Sequence, residues 1–225
     1  MTVKLYLESI EAAYARTFDA QVVAIDGNSI VLDRTLFYPL GGGQHWDTGV
    51  LSGPNGDINV QEVRGRGDVQ HTVETEHQLV VGDEVRGTVD WDTRYAHMRM
   101  HTAQHLMSGI AYELFNGVRT VGNQIHAEKS RIDFNPISFD EAMMERLVDV
   151  VNGHINTGLK VSDSVMTREE INTIMPPDRT NMNLLPASVR DLRVVQIGDQ
   201  VDLCPCAGTH VSNTSELGRV ELIGK

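Results

Sequence analysis

The chain has 225 residues and a formal net charge of −12, with 40% hydrophobic and 22% charged residues. This length allows one large domain or two small ones with a substantial hydrophobic core. The acidic balance excludes a broadly basic surface of the kind that binds polyanions, so nucleic-acid binding would require a local arginine patch. Two stretches are candidates for such a patch: "RGR" at 64–66 and "RYAHMR" at 94–99.

Targeting and redox signals are few. The chain has no 18-residue apolar run, and its start, "MTVKLYLESI", lacks the basic-then-apolar order of a signal peptide. A cytoplasmic protein without membrane contact is therefore expected. The two cysteines, Cys204 and Cys206, are too close in sequence to close a stabilising disulfide loop, so free thiols available to a metal are expected.

Residues 1–90 are predicted to be rich in β-strands. "QVVAI" and "SIVLD" flank "DGN" at 26–28, a strong hairpin signal. The glycine-rich stretch "LFYPLGGGQHWDTG" follows at 36–49, and "DINVQEVR", "VQHTVE" and "EVRGTVD" predict further short strands. Many short strands separated by Gly or Asp turns indicate a small β-barrel domain over residues 1–90.

The pattern changes near residue 91. "DTRYAHMRMHTAQHLMSGIAYELF" predicts a long helix, and "SFDEAMMERLVDVVNGHI" at 138–155 a second one, capped by Ser138 with Glu141 in capping-box register. "KSRIDF", "LRVVQIG" and "VELIG" are predicted strands, and "REEINTI" is a short helix ended by Pro176 and Pro177. The fold class is α+β: a barrel domain, then a catalytic domain at 91–225 of helices packed on a mostly antiparallel sheet.

The stretch "HTAQH" at 101–105 places two histidines one helical turn apart, so that both can bind a single metal ion. Metalloproteases with the HExxH motif share this spacing, but their general base follows the first histidine, where this chain has Thr102. The spacing therefore favours a metal site and excludes that protease chemistry.

A second pair completes a ligand set. "CAGTH" at 206–210 separates Cys206 from His210 by four positions, and together with His101 and His105 it gives three nitrogens and one sulfur. Such a set suits tetrahedral Zn²⁺. Cys204 competes for the sulfur position, but the CxxxH spacing favours Cys206. Four protein ligands are typical of structural zinc, so sequence leaves catalytic, substrate-positioning and structural roles open.

These motifs resemble those of the alanyl-tRNA editing proteins, free-standing relatives of the editing domain of alanyl-tRNA synthetase. The resemblance rests on "FYPLGGGQ", "VDWDTRYAHMRMHTAQHL", "GNQIHAEKSRIDF" and "CAGTH" followed by "HVSNTSELG", in family order over almost the whole chain. The chain is similar to the medium-length form, which carries an N-terminal β-barrel domain. It departs from the family at His45, where relatives usually have proline, and at Ala207, where they have glycine.

The resemblance implies hydrolysis of the ester that links a wrong amino acid, chiefly serine and sometimes glycine, to the acceptor end of alanine tRNA. It also implies roles for particular residues. The expected zinc ligands are His101, His105, Cys206 and His210; the expected substrate-binding residues are Gly41, Gly42, Gly43 and Gln44; the expected catalytic-pocket residues are Thr120, Gln124 and Arg131. Arg94 and Arg99 are added as expected substrate-binding residues because they lie on the same helix as the two histidines, within the second arginine-rich stretch. A pocket that hydrogen-bonds a hydroxyl would select serine over alanine.

Two alternatives stay open at this point. The editing domain of threonyl-tRNA synthetase carries a similar HxxxH and CxxxH set and clears serine from threonine tRNA. A non-catalytic tRNA-binding module stabilised by zinc is also compatible with a four-ligand site. His97 and His126 are expected neighbours of the site, and no residue in the sequence identifies itself as the general base.

Overall fold

The computed structural model of the chain describes residues 1–65, 67–74, 76–176, 179, 182 and 189–224. Arg66 of the first candidate patch, Pro177 at the predicted helix end, and Lys225 lie outside the described residues. Within these ranges, none of the helices has the length and hydropathy needed to cross a membrane.

The N-terminal part contains a closed barrel of six antiparallel strands, in the order β2-β3-β7-β6-β5-β8. The strands up to the end of the barrel are β1 (Val3–Lys4), β2 (Thr17–Asp26), β3 (Ser29–Leu32), β4 (Arg34–Thr35), β5 (Gly49–Gly53), β6 (Gly56–Arg64), β7 (Gln70–Val73) and β8 (Glu84–Val89). Strands β1 and β4 form a short parallel pair outside the barrel. The predicted β-barrel is confirmed.

Alternating apolar residues explain why the barrel closes. Along β2, Phe18, Ala20 and Val22 are buried while the residues between them are exposed, so one face of the strand packs into the barrel core. The "DGN" turn joins β2 to β3 as predicted, with Gly27 at a φ of +54° that glycine adopts readily.

In the part of the chain that the structure describes, three α-helices follow the barrel: α1 (Trp91–Leu114), α2 (Glu141–Thr157) and α3 (Arg168–Ile174). Helix α1 begins after Asp90, whose carboxylate accepts a hydrogen bond from the backbone N–H of Thr93. The prediction that Ser138 caps α2 was wrong. Asp140 occupies that position and accepts a hydrogen bond of 2.8 Å from the N–H of Met143. The helix begins two residues later than Ser138 would cap it, so Asp140 accepts from a free N–H of the actual first turn.

The remaining strands are antiparallel and form two separate sheets, a hairpin of β9 (Arg119–Ile125) and β10 (Ser130–Asn135), and a sheet of β11 (Val161–Thr167), β12 (Asp191–Ile197) and β13 (Asp202–Pro205). The predicted "VELIG" strand was wrong. Backbone groups of Val220 instead bond to the side chain of Asn152 on α2, at 2.9 Å in both directions. This segment therefore pairs with a side chain, and no strand lies beside it within the described residues.

The barrel and the helices have separate apolar cores, but two residues near the N-terminus pack in the core of the helices. Ile10 and Ala13 precede the barrel strands and pack with α1 and α2. The fully buried Arg94 of α1 joins the two parts, because its guanidinium bonds to the Asp47 carboxylate and to the carbonyl oxygens of Ala13 and Leu36. The predicted domain boundary between residues 90 and 91 stays a prediction.

Candidate metal centre and adjoining cavity

Helix α1 presents the first two metal-ligating candidates. His101 and His105 are four residues apart, so they lie on one face of the helix, with ring centroids 5.1 Å apart. Both side chains are almost fully buried. Gln104 and Ser108 extend the same face by a further turn, and these two polar residues were missed by the sequence analysis although the helical spacing could have identified them.

The loop after β13 supplies the other two candidates, Cys206 and His210. Arg193 of β12 holds this loop, because its Nη1 donates to the carbonyl oxygens of Cys206 at 2.8 Å and Gly208 at 3.3 Å. The Cys206 N–H in turn donates to the Arg193 carbonyl oxygen at 3.0 Å. These bonds fix the backbone around the bend at Gly208, and the segment places Cys206 against His101 and His210 against Thr102 of α1.

The four candidates meet as one group that could hold a metal ion, with ligand atoms all within 4.8 Å of one another. Cys206 Sγ lies 3.6 Å from His101 Nε2 and 3.4 Å from His210 Nε2. Burial alone would raise the pKa of the Cys206 thiol, but the neighbouring histidines outweigh burial and hold that pKa well below its usual range. A thiolate is the form of cysteine that binds metals.

The pKa of the competing thiol, Cys204, shifts in the opposite direction. Burial, reinforced by the negative charges of Asp202 and Cys206, raises the pKa of Cys204 well above its usual value. Cys204 therefore stays a protonated thiol beside the cavity and does not belong to the group of four.

Each of the three histidines is held at its other ring nitrogen. His101 Nδ1 lies 2.8 Å from Gln44 Oε1, and His210 Nδ1 lies 3.1 Å from Thr102 Oγ1. His105 Nδ1 lies 2.9 Å from a carboxylate oxygen of Asp202. Such partners orient metal-binding imidazoles and leave their Nε2 atoms for the metal.

The glycine-rich loop closes on itself beside this centre. The backbones of Gly41 and Gln44 exchange hydrogen bonds of 2.9 and 3.2 Å. Gly42 and Gly43 have φ values of +57° and +84°, and a Cβ on Gly43 would lie 1.7 Å from Asn123 Oδ1. Glycine is therefore required at these two positions by conformation, and at Gly43 also by the closeness of β9. Gly41 and Gly42 line the cavity described next.

A cavity of about 610 Å³ lies against the candidate metal centre and contains a connected polar network. Gln104 Nε2 donates to Ser108 Oγ at 2.8 Å, and Ser108 Oγ lies 2.6 Å from Thr120 Oγ1. Asn123 Nδ2 lies 3.5 Å from Gln104 Oε1. The network thus places two hydroxyls and two amides beside His101 and His105.

A β-bulge explains how one strand can present both Thr120 and Asn123 to the cavity. In a regular strand, residues three apart point to opposite faces. The register of β9 against β10 shifts so that Asp133 pairs with Gly122 and Phe134 with Thr120, which leaves Val121 as the extra residue. Val121 is 61% exposed. The bulge turns Thr120 to the same side as Asn123.

The other predicted pocket residues lie elsewhere. Gln124 and Arg131 are cross-strand partners on the exposed face of the hairpin, where Arg131 pairs with Asp133. Arg94 is buried in its pair with Asp47, and exposed Arg99 donates to the Leu217 carbonyl oxygen at 2.8 Å. None of these four residues lines the cavity as the described residues define it.

Three cationic side chains that the sequence analysis missed do line the cavity, namely Lys4, Arg119 and Arg179. The Arg179 side chain is 9% exposed. It donates to the Val201 carbonyl oxygen, lies 3.6 Å from Asp202, and packs 5.1 Å from the centre of the Tyr112 ring. No sequence pattern links these cations, because they come from three separate parts of the chain.

Comparison with known families places the chain among proteins related to aminoacyl-tRNA synthetases. Residues 4–93 match the family described as tRNA synthetases class II (A). Residues 192–225 match the family described as the threonyl and alanyl tRNA synthetase second additional domain. These two matches include the barrel and the CxxxH half of the candidate metal centre.

The chain belongs to the alanyl-tRNA editing protein family. It is 36% identical to the alanyl-tRNA editing protein AlaX-M of Saccharolobus solfataricus, covering 99% of this chain and 92% of the relative. It is also 36% identical to the AlaX-M protein of Methanosarcina barkeri, covering 93% of this chain and 88% of the relative. Alanine–tRNA ligase of Sulfurisphaera tokodaii is 33% identical over 99% of this chain, which covers 24% of that enzyme.

Proposed function

We propose that this protein is a zinc-dependent trans-editing hydrolase that removes serine wrongly attached to alanine tRNA. The observation that carries the proposal is the joining of a Cys/His₃ group and a hydroxyl–amide network in one cavity. Membership of the alanyl-tRNA editing family supports alanine tRNA as the substrate and editing as the class of reaction.

The donor set supports zinc as the metal. Zn–S bonds of about 2.3 Å and Zn–N bonds of about 2.0 Å at tetrahedral angles put sulfur and nitrogen about 3.5 Å apart. The corresponding distances from Cys206 Sγ are 3.6 Å to His101 and 3.4 Å to His210. Three imidazoles and one thiolate also bind zinc in preference to harder cations. Two separations expected of a tetrahedral zinc site are therefore present, and all four ligand atoms lie within 4.8 Å of one another.

The polar network supports selection of serine. The paired hydroxyls of Ser108 and Thr120 can exchange their mutual bond for bonds to the hydroxyl of a bound serine. Alanine lacks that hydroxyl, so its binding would leave these groups without the added partner. Selection through a hydrogen bond is effective here, whereas exclusion by size cannot reject the smaller alanine side chain.

The chemistry requires little of the protein beyond positioning. Bound zinc would supply Lewis-acid stabilisation of the ester carbonyl or a water of lowered pKa. The chain's own part is to orient the three imidazoles through Gln44, Asp202 and Thr102 and to hold the aminoacyl group against the network. An aminoacyl ester is already activated, so no covalent nucleophile is needed.

The cations at the cavity reconcile an acidic protein with an RNA substrate. Lys4, Arg119 and Arg179 line the cavity although the whole chain carries a charge of −12. Local positive charge is what phosphate groups require. We assign these three side chains, in place of Arg94 and Arg99, to the acceptor end of the tRNA.

Deacylation by the purified zinc-loaded protein tests this function. Serine-charged alanine tRNA is the expected substrate, and alanine-charged alanine tRNA and serine-charged threonine tRNA are the controls, each at low and high salt. Serine release from alanine tRNA alone is the expected result. Equal or faster release from threonine tRNA would establish threonyl-type editing. Release from no substrate, with zinc bound and the fold intact, would leave a binding module.

A variant separates serine recognition from the rest of the reaction. Thr120→Val removes one network hydroxyl and is expected to lower kcat/KM for serine-charged tRNA by about 10- to 100-fold, because a substrate hydroxyl loses its partner. Glycine-charged alanine tRNA, which has no side-chain hydroxyl, should be deacylated as before if it is a substrate. Val121→Ala, on the outer side of the same bulge, is the matched control. An equal loss on both charged tRNAs would contradict the assigned role of Thr120.

A further inference from the structure

Gln44 belongs to the barrel part of the chain, yet it is fully buried against the candidate metal centre. Its Oε1 accepts a hydrogen bond from the Thr209 N–H at 3.2 Å and lies 2.8 Å from His101 Nδ1. Its Nε2 donates to Thr209 Oγ1 at 2.9 Å. One side chain thus connects the glycine-rich loop, helix α1 and the CxxxH loop.

These bonds determine the protonation of His101. The Thr209 N–H can only donate, so the amide atom it contacts must be the oxygen, which accepts. The same oxygen faces His101 Nδ1, which must therefore carry the proton. His101 Nε2 is then left with its lone pair directed toward the group around Cys206.

The position of Gln44 is itself fixed from two sides. Within the loop, its N–H donates to the Gly41 carbonyl oxygen at 2.9 Å. On the other side, the Ile125 N–H of β9 donates to the Gly43 carbonyl oxygen at 2.8 Å, and the His45 N–H donates back to Ile125 at 3.1 Å. The amide therefore has little freedom to follow a displaced imidazole.

Gln44 does not reach the cavity, which Gly41 and Gly42 of the same loop do line. Because Gln44 contacts His101 and not the cavity, it can act on a bound substrate only through His101. Its neighbours support this assignment, because Gly208 packs so closely that a Cβ there would lie 2.1 Å from the His101 ring and 3.2 Å from Gln44 Oε1.

We propose that Gln44 is a positioning residue that fixes His101 as an Nε2 ligand, so that the barrel supplies part of the metal centre. The inference rests on the proposed zinc site and adds a dependence of that site on a loop outside the HxxxH and CxxxH motifs. Loss of the amide acceptor should therefore weaken metal binding even though all four ligands remain.

Metal binding without tRNA tests the proposal on the full chain. Zinc affinity is measured by competition with a chelator, and the cobalt-substituted protein gives an absorption spectrum that reports ligand geometry. Gln44→Met keeps the length but removes the acceptor, and it should lower zinc affinity by about 10- to 100-fold and change the cobalt spectrum. Gln44→Glu keeps an acceptor and should stay within a few-fold of wild type. Gln61→Met, the same change on an exposed barrel strand, is the matched control.

The outcomes separate this inference from the proposed function. Wild-type affinity and an unchanged spectrum for Gln44→Met would overturn the role of Gln44 while leaving the zinc site intact. Failure of the wild-type protein to bind zinc would overturn both. If Gln44→Met does not fold, nitrogen NMR of the wild-type zinc protein decides instead. A proton on His101 Nδ1 with zinc on Nε2 is expected, and zinc on Nδ1 would refute the proposal.

Discussion

Gly208→Ala is predicted to disable the candidate metal centre through a single added methyl group. The Cβ would lie 2.1 Å from Cε1 and 2.3 Å from Nδ1 of His101. Ordinary contacts of this kind begin at 3.4 Å, so the ring or the loop would have to move by about 1.3 Å. Metal–ligand distances tolerate changes of only about 0.2 Å.

Neither the His101 ring nor the loop that carries Gly208 can move away easily. Gln44 lies behind the His101 ring, and both residues are buried. The carbonyl oxygens of Cys206 and Gly208 are held by Arg193. The required movement therefore displaces a ligand from the group, and we expect zinc affinity to fall by at least about 100-fold, the upper end of the range for groups that orient ligands.

Chelator competition on the purified variant measures this loss, with circular dichroism as the check that the fold is retained. Gly153→Ala is the matched control, because nothing lies within 4 Å of a Cβ at that exposed helical position. Zinc binding by Gly208→Ala within about threefold of wild type, with Gly153→Ala doing the same, would refute this prediction.

Three further predictions concern stability, each measured by denaturant unfolding. Arg94→Met leaves the buried Asp47 carboxylate without its cation and should cost about 3–5 kcal/mol; a loss below about 1 kcal/mol would mean that the pair does not join the barrel to α1. Burial lowers the pKa of His71 in the barrel core to about 4. In the unfolded chain this histidine has a pKa near 6.5, so between about pH 6.5 and pH 4 the unfolded chain binds a proton that the folded chain does not. The contribution of neutral His71 to the free energy of unfolding is therefore complete above about pH 6.5 and is lost as the pH falls toward 4. Wild type should lose about 2 kcal/mol more than His71→Gln between about pH 7.5 and about pH 5, and parallel pH profiles would contradict the assignment. Gly153→Ala should stabilise α2 by about 0.5–1 kcal/mol, because alanine loses less backbone entropy than glycine; destabilisation would show that the position is not open.

Periodicity and turn chemistry predicted the elements that local sequence determines. The "DGN" hairpin, the long helix from residue 91 and the shared face of His101 and His105 all follow from patterns within a few turns of chain. The α+β class with its barrel is confirmed for the same reason. Elements that depend on a distant partner were less predictable. "VELIG" has the composition of a strand, but its backbone bonds to Asn152 on α2.

The same limit applies to the site. The HxxxH and CxxxH spacings identified the group of four because each pair is local. The sequence could not show that Arg94 pairs with Asp47, which lies 47 residues earlier in the chain. An arginine that is buried cannot be told from an exposed one by its local sequence. It also could not show that the bulge at Val121 turns Thr120 and Asn123 to one side.

The most direct measurement is serine release from serine-charged alanine tRNA during titration of the metal-free protein with zinc. We expect no turnover without metal and a linear rise in rate that stops at one zinc ion per chain. Release at the full rate by the metal-free protein would contradict a metal-centred reaction. No release at any zinc level, with the ion bound and the fold intact, would contradict the deacylase.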